Sequence, residues 1–514
     1  MTSLAFSDLF VIVLYLGSVG LVAARVSRMQ TTTSEYFVAD RKLPGWAVAF
    51  SIVGTIISSV SFVAFPGAAF SQDWRLLVPN MSVPFVLAGV TLFVVPFYRR
   101  VVRMSSYEYL ERRFGVVARL YGSAGFLVLR TVDLGFTLLL TAIAVEVVSG
   151  WNIRAVIVGI SLFTVTYTMA GGIEAVVWND VIQGIVLATG AATIVGYLLV
   201  GVPGGAAAVV GTAWAAGKFG VGDLTISWNS LFGEHPTFWM FLLSGFAHFG
   251  RAYSIEQNIV QRYLVARTDR EAQRATLTGA VSCLVIWVTF FFIGSSLWAF
   301  YRLGASRLPA AVTERPDDIL PYFIATELPH GLIGLILAAI LAAAMQAFSA
   351  DLTSVGTVAT ADYLARFRPH TSDRQRLVFA RLAILAGGLL AMGVALQLTE
   401  SRTRAVYEIF VILASIVAGG LLGLFALGFL CERATRRGAY VGLVCCITFV
   451  AWATLTGPLK VDLGINYRMH PLMIGLISHI VMFVCGYLAS LFRPDRRDDL
   501  RGLTIWSLRE VREG

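Results

Sequence analysis

Residues 45–71 read GWAVAFSIVGTIISSVSFVAFPGAAFS, a stretch that is apolar and long enough to cross a lipid bilayer. It nevertheless contains Gly54, a cluster of serines and a Pro-Gly pair, features that can interrupt a helix. A helix in lipid has no water to satisfy broken backbone groups, so breaks persist where the backbone lines a cavity or binds a ligand. The stretch therefore predicts an interrupted membrane span with a binding site near its centre.

A second stretch, residues 237–258, has the same character because it contains Ser244-Gly245, Gly250 and Ser254. Each of the two stretches begins a block of five apolar runs. Paired interruptions in corresponding positions are typical of secondary transporters built from inverted repeats, whose binding site lies at the breaks near the bilayer midplane.

The composition of the whole chain agrees with a membrane location. Of 514 residues, 57% are hydrophobic and 14% are charged, against about a quarter charged in soluble domains. Runs of bilayer-spanning length recur from end to end, which predicts an all-α polytopic membrane protein with about thirteen transmembrane helices. They are residues 6–26, 45–71, 76–98, 120–149, 153–170, 174–200, 237–258, 276–301, 331–363, 377–399, 405–430, 438–457 and 470–492.

The basic residues predict the orientation of the spans. The net charge is +9, and most of the 40 lysines and arginines lie on the connections that are inside the cell if the N-terminus is outside. By the positive-inside rule, the N-terminus is outside and the C-terminus is cytoplasmic. This distribution argues against a nucleic-acid partner and for contact with membrane lipid.

Sequence features of an enzyme are missing between the spans. The chain has no nucleotide-binding loop, no HExxH and no GxSxG motif. Its five cysteines lie in or beside apolar spans without metal-binding spacing. We therefore expect a protein that is not an enzyme.

Five motifs carry a resemblance to a known family. In chain order they are EYFVADRKLPGW, YEYLERRFG, YTMAGGIEAVVWNDVIQG, QNIVQRYL and LPHGLIGLILAAILAAAM. The chain resembles the sodium/solute symporter family, which includes bacterial proline, sugar and sialic-acid carriers and animal sodium/glucose cotransporters. The resemblance implies a leucine-transporter-type 5+5 inverted repeat and alternating access that couples solute uptake to a cation gradient.

The same resemblance implies a division of the chain. Residues 1–30 form a leading transmembrane helix, 31–200 the first inverted repeat with spans two to six, and 201–235 an extracellular or periplasmic loop. Residues 236–432 form the second inverted repeat with spans seven to eleven, 433–493 two trailing helices, and 494–514 a cytoplasmic tail. The expected location is the inner membrane of a bacterium, where the protein functions as a monomer.

In the family, carbonyl groups of the first broken span and hydroxyl groups of the ninth span bind a sodium ion. Here the matching carbonyls belong to Gly54 and Ile57, and the ninth-span positions are Ala343, Gln346 and Ala347. Both usual serines are missing. Sodium is a hard cation that requires oxygen ligands, and Gln346 supplies one oxygen beside an amide group that repels the ion.

Three further residues are candidates for the coupling cation. The resemblance assigns a second cation region to Asp180, and Ser349 and Asp351 lie close to Gln346 in the sequence. A carboxylate inside a membrane is costly, so it is retained for pairing or for function. Because Gln346 and Ala347 replace the serines, we expect the common sodium site to be empty or greatly weakened. Coupling would then pass through Asp180, Ser349 and Asp351, which could bind Na⁺ or hold a proton; alternatively, Asp351 pairs with Arg381.

The candidates for solute binding lie on four spans. Some relatives that take carboxylated solutes have an arginine where this chain has Asp133. Asp133 could therefore face the solute, or it could pair with Arg130 three residues earlier on the same helix; the spacing is equally compatible with both. An acid at this place argues against a carboxylate solute. The other candidates are Ser58 and Ser61 beside the first break, Asn80, and Tyr253 in the second broken span.

These residues favour cation-coupled symport of a small polar solute, above all a neutral sugar or sugar derivative, because a few fixed polar groups in an apolar pocket suit hydroxyl-rich ligands. Alternatives are a monocarboxylate or amino-acid symporter, or a facilitator or sensor that has lost sodium coupling. The segment after residue 493 is too short for a signalling domain, which favours transport over sensing.

Overall fold

The computed structural model describes residues 4–27, 30–304, 308–401, 419–492 and 502–507. These residues are helical almost throughout, and their one β feature is a parallel bridge between Leu43 and Ala266. The expectation of an all-α protein is confirmed. Hydrogen bonds made within each helix satisfy the backbone, as a lipid environment requires.

The first half of the chain contains the helices α1 to α10. They are α1 Phe6–Ser27, α2 Thr33–Val38, α3 Gly45–Ile56, α4 Ser59–Ser71, α5 Val83–Gly89, α6 Val95–Val101, α7 Glu108–Phe114, α8 Val116–Ser149, α9 Ile153–Val200 and α10 Gly205–Ala215. A 3₁₀ segment, Arg75–Ser82, leads into α5, and a π-helical turn, Val90–Val94, joins α5 to α6.

The second half contains the remaining helices. They are α11 Trp228–Phe232, α12 Phe238–Ile255, α13 Gln257–Val265, α14 Asp269–Leu303, α15 Ala310–Thr313, α16 Ile319–Glu327, α17 Leu332–Val358, α18 Ala365–Phe367, α19 Asp373–Ser401, α20 Leu421–Leu430, α21 Arg436–Thr456 and α22 Leu472–Phe492. A π-helical segment, Ala359–Leu364, extends α17 toward α18.

Nine helices in the described residues are long and apolar enough to cross a membrane, or ten if the bent pair α3 and α4 is one span. Two of the predicted runs, 153–170 and 174–200, share the single helical segment α9. Much of the predicted run 405–430 lies outside the described residues. A multi-span membrane protein is therefore confirmed, whereas the number thirteen and the repeat remain predictions.

Both predicted interruptions are present. The helices α3 and α4 meet at an angle of 57°, at the position expected from Gly54 and the serines. The second break lies within the predicted stretch 237–258 and close to Ser254. The helix α12 continues through Gly245 and Gly250 and ends before Glu256, whose ψ is 128°. At Gly245 the absence of a side chain admits the carbonyl of Pro79, so this glycine serves close packing and the helix continues through it.

The helix α17 lies at the centre of the molecule. Nearly all its side chains are buried, from Ile333 to Val358, and it packs against α9, α8 and α1. The N-terminus of α17 is capped by Asp8 of α1, whose Oδ1 accepts hydrogen bonds from the backbone nitrogens of Gly331 at 2.6 Å and Gly334 at 2.9 Å.

Gly172 divides α9 into two helical parts. Its φ of 57° and ψ of −156° lie in a region that essentially only glycine occupies. A Cβ at this position would also stand 2.7 Å from the carbonyl oxygen of Tyr36 on α2. The turn between the two parts of α9 therefore depends on glycine for both its backbone conformation and its packing.

We predict that Gly172→Ala destabilises the protein by about 1–3 kcal/mol because of backbone strain and the clash with Tyr36. The matched control is Gly196→Ala on the same helix, where a Cβ would meet no atom within 4 Å. Thermal unfolding of both purified variants in detergent is the measurement. Equal midpoints for the two variants would contradict this account of the turn.

Candidate functional site

The first break exposes backbone carbonyl groups in the membrane interior. Because α3 ends at Ile56 and Ile57 is extended (φ −84°, ψ 119°), the carbonyl of Gly54 has no donor from a following helical turn. The next helix, α4, begins after Ser58, whose hydroxyl accepts a hydrogen bond from the backbone nitrogen of Val60 at 3.3 Å. The break thus combines a helix C-terminus with a helix N-terminus.

Two other elements bring oxygen atoms to Gly54. A Cβ on Gly54 would stand 3.0 Å from Cδ of Gln346 on α17 and 3.2 Å from Oδ1 of Asp180 on α9. Both side chains are completely buried. The predicted cation residues Gly54, Asp180 and Gln346 therefore lie together.

The hydrogen bonds of Asp180 and Gln346 orient both side chains. The other carboxylate oxygen of Asp180, Oδ2, accepts a hydrogen bond from the hydroxyl of Ser51 at 2.6 Å. Nε2 of Gln346 donates a hydrogen bond to the backbone carbonyl of Asp180 at 2.9 Å. Because only the amide nitrogen can donate, this bond fixes which end of the Gln346 amide faces Asp180. Oδ1 of Asp180 and Oε1 of Gln346 are buried and have no hydrogen-bond partner.

The remaining predicted cation residues are arranged differently. Ile57 and Ala343 are buried, and the hydroxyl of Ser349 donates to the backbone carbonyl of Gln346 at 3.1 Å. Asp351 instead accepts a hydrogen bond from Nδ2 of Asn258 at 2.6 Å. The structure therefore does not join Asp180, Ser349 and Asp351 in one group, and their roles in ion binding remain predictions.

Arg130 on α8 organises a second cluster of charges. Its guanidinium lies 2.8 Å from Asp133, 2.7 Å from Glu256 and 3.4 Å from Asp351. Glu256 stands at the break between α12 and α13 and also pairs with Arg251 at 2.6 Å. The cluster thus ties α8, the second break and α17 together.

Two pairings considered from the sequence can now be assessed. The intrahelical pair of Arg130 with Asp133 is present. The pairing of Asp351 with Arg381 was wrong, because Asp351 contacts Arg130 while the guanidinium of Arg381 lies over the ring of Tyr36. Helix spacing identified the first pair, but only the fold brings α8 to Asp351.

The predicted solute-binding residues occupy different surroundings. The side chain of Asp133 is 34% exposed, whereas its partner Arg130 is 11% exposed, so Asp133 can meet a ligand. Ser61 and Tyr253 are buried, and Ser58 is half-buried. Asn80 is buried, and its Nδ2 has no hydrogen-bond partner. Their contact with a solute remains a prediction.

A buried arginine, Arg262 of α13, connects the two groups. Nε of Arg262 donates to the hydroxyl of Ser51 at 3.1 Å, and its NH1 donates to the backbone carbonyl of Asn258 at 3.0 Å. Arg262 is completely buried. In the sequence, the feature that could have identified Arg262 is its position just after the interrupted apolar run 237–258.

Interrupted membrane helices whose broken ends lie beside buried polar groups are typical of secondary transporters. The chain belongs to the sodium:solute symporter family, whose sequence profile matches residues 36–446.

Relatives in this family match over almost the whole chain. The sodium/sialic acid symporter of Proteus mirabilis (strain HI4320) is 32% identical over 94% of this chain and 95% of its own length. That of Aliivibrio fischeri (strain ATCC 700601 / ES114) is 30% identical over 94% and 93%. The solved structure of a Na⁺-coupled sialic acid symporter in a substrate-bound, outward-open state has a TM-score of 0.88 at 31% identity, covering 96% of this chain and all of that one.

We predict that Arg130→Met destabilises the protein by about 3–5 kcal/mol, because it leaves three carboxylates without their shared cation in the interior. The control is Arg154→Met, which removes an exposed pair with Glu400 and should cost about 0–1 kcal/mol. Unfolding of both variants in detergent is the measurement. A loss of stability for Arg130→Met no larger than that of the control would refute the organising role of Arg130.

Proposed function

We propose that this protein is a secondary active transporter that couples Na⁺ entry to the uptake of a small polar solute, a sugar or sugar derivative. The observation that carries the proposal is the convergence of two broken spans on buried polar groups of α8, α9 and α17. The groups at the first break suit a cation, and those at the second break adjoin the predicted solute residues. Membership of the sodium:solute symporter family supports the same reading.

The proposed architecture follows the domain boundaries expected from the sequence. It has thirteen transmembrane helices, with inverted repeats over residues 31–200 and 236–432 joined by the loop 201–235. The breaks at Ile57 and Glu256 support the repeat, because they occur in the first span of each block. A leading helix in 1–30, two trailing helices in 433–493 and a cytoplasmic tail in 494–514 complete a monomer in a bacterial inner membrane.

Sodium is the proposed coupling ion. The relatives from Proteus mirabilis and Aliivibrio fischeri are sodium symporters by name. In this chain, the unpartnered side-chain oxygens of Asp180 and Gln346, which lie beside Gly54, match the oxygen preference of a hard cation. A proton is the alternative coupling ion.

The solute is proposed to be a neutral sugar derivative. The same two relatives carry sialic acid by name, which supports a sugar derivative. Here the partly exposed carboxylate of Asp133, one of the predicted solute-binding residues, would repel a carboxylate group on the solute. Asn80 offers an unpartnered amide to hydroxyl groups.

A second candidate is a carboxylated solute. The sodium-coupled monocarboxylate transporter 1 of Homo sapiens is 25% identical over 85% of this chain and 70% of its own length. Arg130 and Arg251 lie close to Asp133 and could balance a carboxylate if they turned away from Glu256. That rearrangement would break buried ion pairs, which makes the neutral solute the better candidate.

We expect purified protein in proteoliposomes to accumulate a neutral sugar or sugar derivative when a Na⁺ gradient is imposed. The measurement is uptake from a panel of labelled sugars, sugar acids, monocarboxylates and amino acids. Liposomes without protein and liposomes without a gradient are the controls. Uptake of acids without any sugar derivative would contradict the proposed solute.

We predict that Asp180→Asn abolishes gradient-driven accumulation, because it removes the carboxylate beside Gly54 and its charge. The control is Asp223→Asn, which alters an exposed loop residue and should transport like the wild type. Size-exclusion chromatography in detergent shows whether both variants fold. Wild-type accumulation by folded Asp180→Asn would show that Asp180 is structural.

A further inference from the structure

The leading helix α1 precedes the first predicted repeat and has two different faces. One face is exposed and apolar, with Phe10, Leu14 and Leu21 among its side chains. The opposite face is buried against α9 and α17, and it carries two polar side chains, Asp8 and Tyr15. A buried polar group is costly unless it is hydrogen-bonded, so the partners of both side chains matter. Asp8 caps α17, and Tyr15 lies two turns further along α1.

The hydroxyl group of Tyr15 joins three helices. Its oxygen accepts a hydrogen bond from Nε2 of Gln183 on α9 at 3.1 Å. The same hydroxyl donates to Sδ of Met345 on α17 at 3.5 Å. All three side chains are buried. Tyr15 therefore links α9 to α17 from a helix that belongs to neither repeat.

Both partners of the Tyr15 hydroxyl are close neighbours of the predicted cation residues. Met345 directly precedes Gln346, and Gln183 follows Asp180 by three residues, which places it on the adjoining helical turn. Asp180 and Gln346 contact each other through the bond from Nε2 of Gln346 to the Asp180 carbonyl at 2.9 Å. The link through Tyr15 thus lies beside the contact between these two residues.

A second tyrosine also holds Met345. The hydroxyl of Tyr167, on the first part of α9, donates to the backbone carbonyl of Met345 at 3.2 Å. Tyr15 therefore holds the side chain of Met345, and Tyr167 holds its backbone. The segment of α17 that carries Gln346 is fixed by α1 and α9 together.

The spacing of α9 and α17 affects the atoms that would meet a cation. Oδ1 of Asp180 and Oε1 of Gln346 have no hydrogen-bond partner, so the space between them depends on how the two helices are held. A binding site functions when its ligands stay within about 0.5 Å of the required geometry. Residues that hold ligands in place commonly change metal affinity by about 10–100-fold when they are substituted.

We propose that Tyr15 is a positioning residue for the coupling ion, and that the leading helix therefore takes part in transport. Tyr15 ties Met345 to Gln183 and so fixes the spacing of α9 and α17; it acts through these partners and does not bind the ion. The proposal rests on the proposed Na⁺-coupled function and adds a contribution from outside the two repeats.

The first measurement is Na⁺ binding to purified full-length protein by titration calorimetry, with choline as the replacement cation. Tyr15→Phe removes the hydroxyl and keeps the ring, and it should lower the affinity for Na⁺ about tenfold. In proteoliposomes at saturating Na⁺, its maximal uptake rate and its KM for the solute should stay within about twofold of the wild type, because the ion site is then filled.

The matched control is Tyr109→Phe. Tyr109 is also completely buried, and its hydroxyl donates to the distant backbone carbonyl of Leu503 at 3.1 Å. Tyr109→Phe should bind Na⁺ like the wild type. Thermal unfolding in detergent shows whether both variants fold. An equal loss of Na⁺ affinity in the two folded variants would make the effect a general loss of packing and would overturn the role of Tyr15.

A double-mutant cycle tests the route through Met345. Met345→Leu nearly conserves the volume of the side chain but removes the sulfur that accepts the Tyr15 hydrogen bond. If Tyr15 acts through Met345, the two substitutions are not additive, and the double variant binds Na⁺ as Tyr15→Phe does alone. Losses of affinity that simply add would overturn this route.

The same measurements separate the role of Tyr15 from the proposed function. Na⁺-dependent uptake by the wild type, combined with unchanged Na⁺ affinity in Tyr15→Phe, would overturn the role of Tyr15 and leave Na⁺ coupling supported. A wild type that binds no Na⁺ and takes up solute without it would contradict the proposed coupling, and with it the role given to Tyr15.

Discussion

The guanidinium of Arg130 is the contact on which the arrangement of the transport core depends. It joins a carboxylate on its own helix, one at the second break and one on the most buried helix of the molecule. Low polarity makes each of these ion pairs strong and makes the loss of a partner expensive. The second break can therefore hold an extended residue in the membrane interior, because charged contacts fix the backbone on either side of it.

The general architecture could be predicted from the sequence because it follows from rules that act locally. Apolar runs of spanning length predicted the membrane helices, and the serines after Gly54 predicted the first break, since neither inference needs a distant contact. The second break lies in the predicted stretch 237–258, but near Ser254 rather than at either glycine. Glycine interrupts a helix only if its neighbours favour the break, and at Gly245 the absence of a side chain instead admits the carbonyl of Pro79.

The candidate site could be predicted only in part. Asp180, Gln346 and Gly54 were matched by family motifs and do lie together. The partner of Asp351 was not foreseen because Arg130 is 221 residues away in the chain, and spacing carries no information at that distance. The direction of the Gln346 amide was equally hidden, because it depends on a backbone carbonyl of another helix.

The cap that Asp8 forms on α17 has a consequence for biosynthesis. Its partners Gly331 and Gly334 follow it by more than 320 residues, which corresponds to roughly 15–65 s of translation at about 5–20 residues per second. During that interval the carboxylate of Asp8 lacks its partners at the start of α17 and keeps only the hydrogen bond from the backbone nitrogen of Ala5, at 3.0 Å. The leading helix can pack against α9 earlier, but its cap on α17 forms only after the ribosome has delivered about two thirds of the chain.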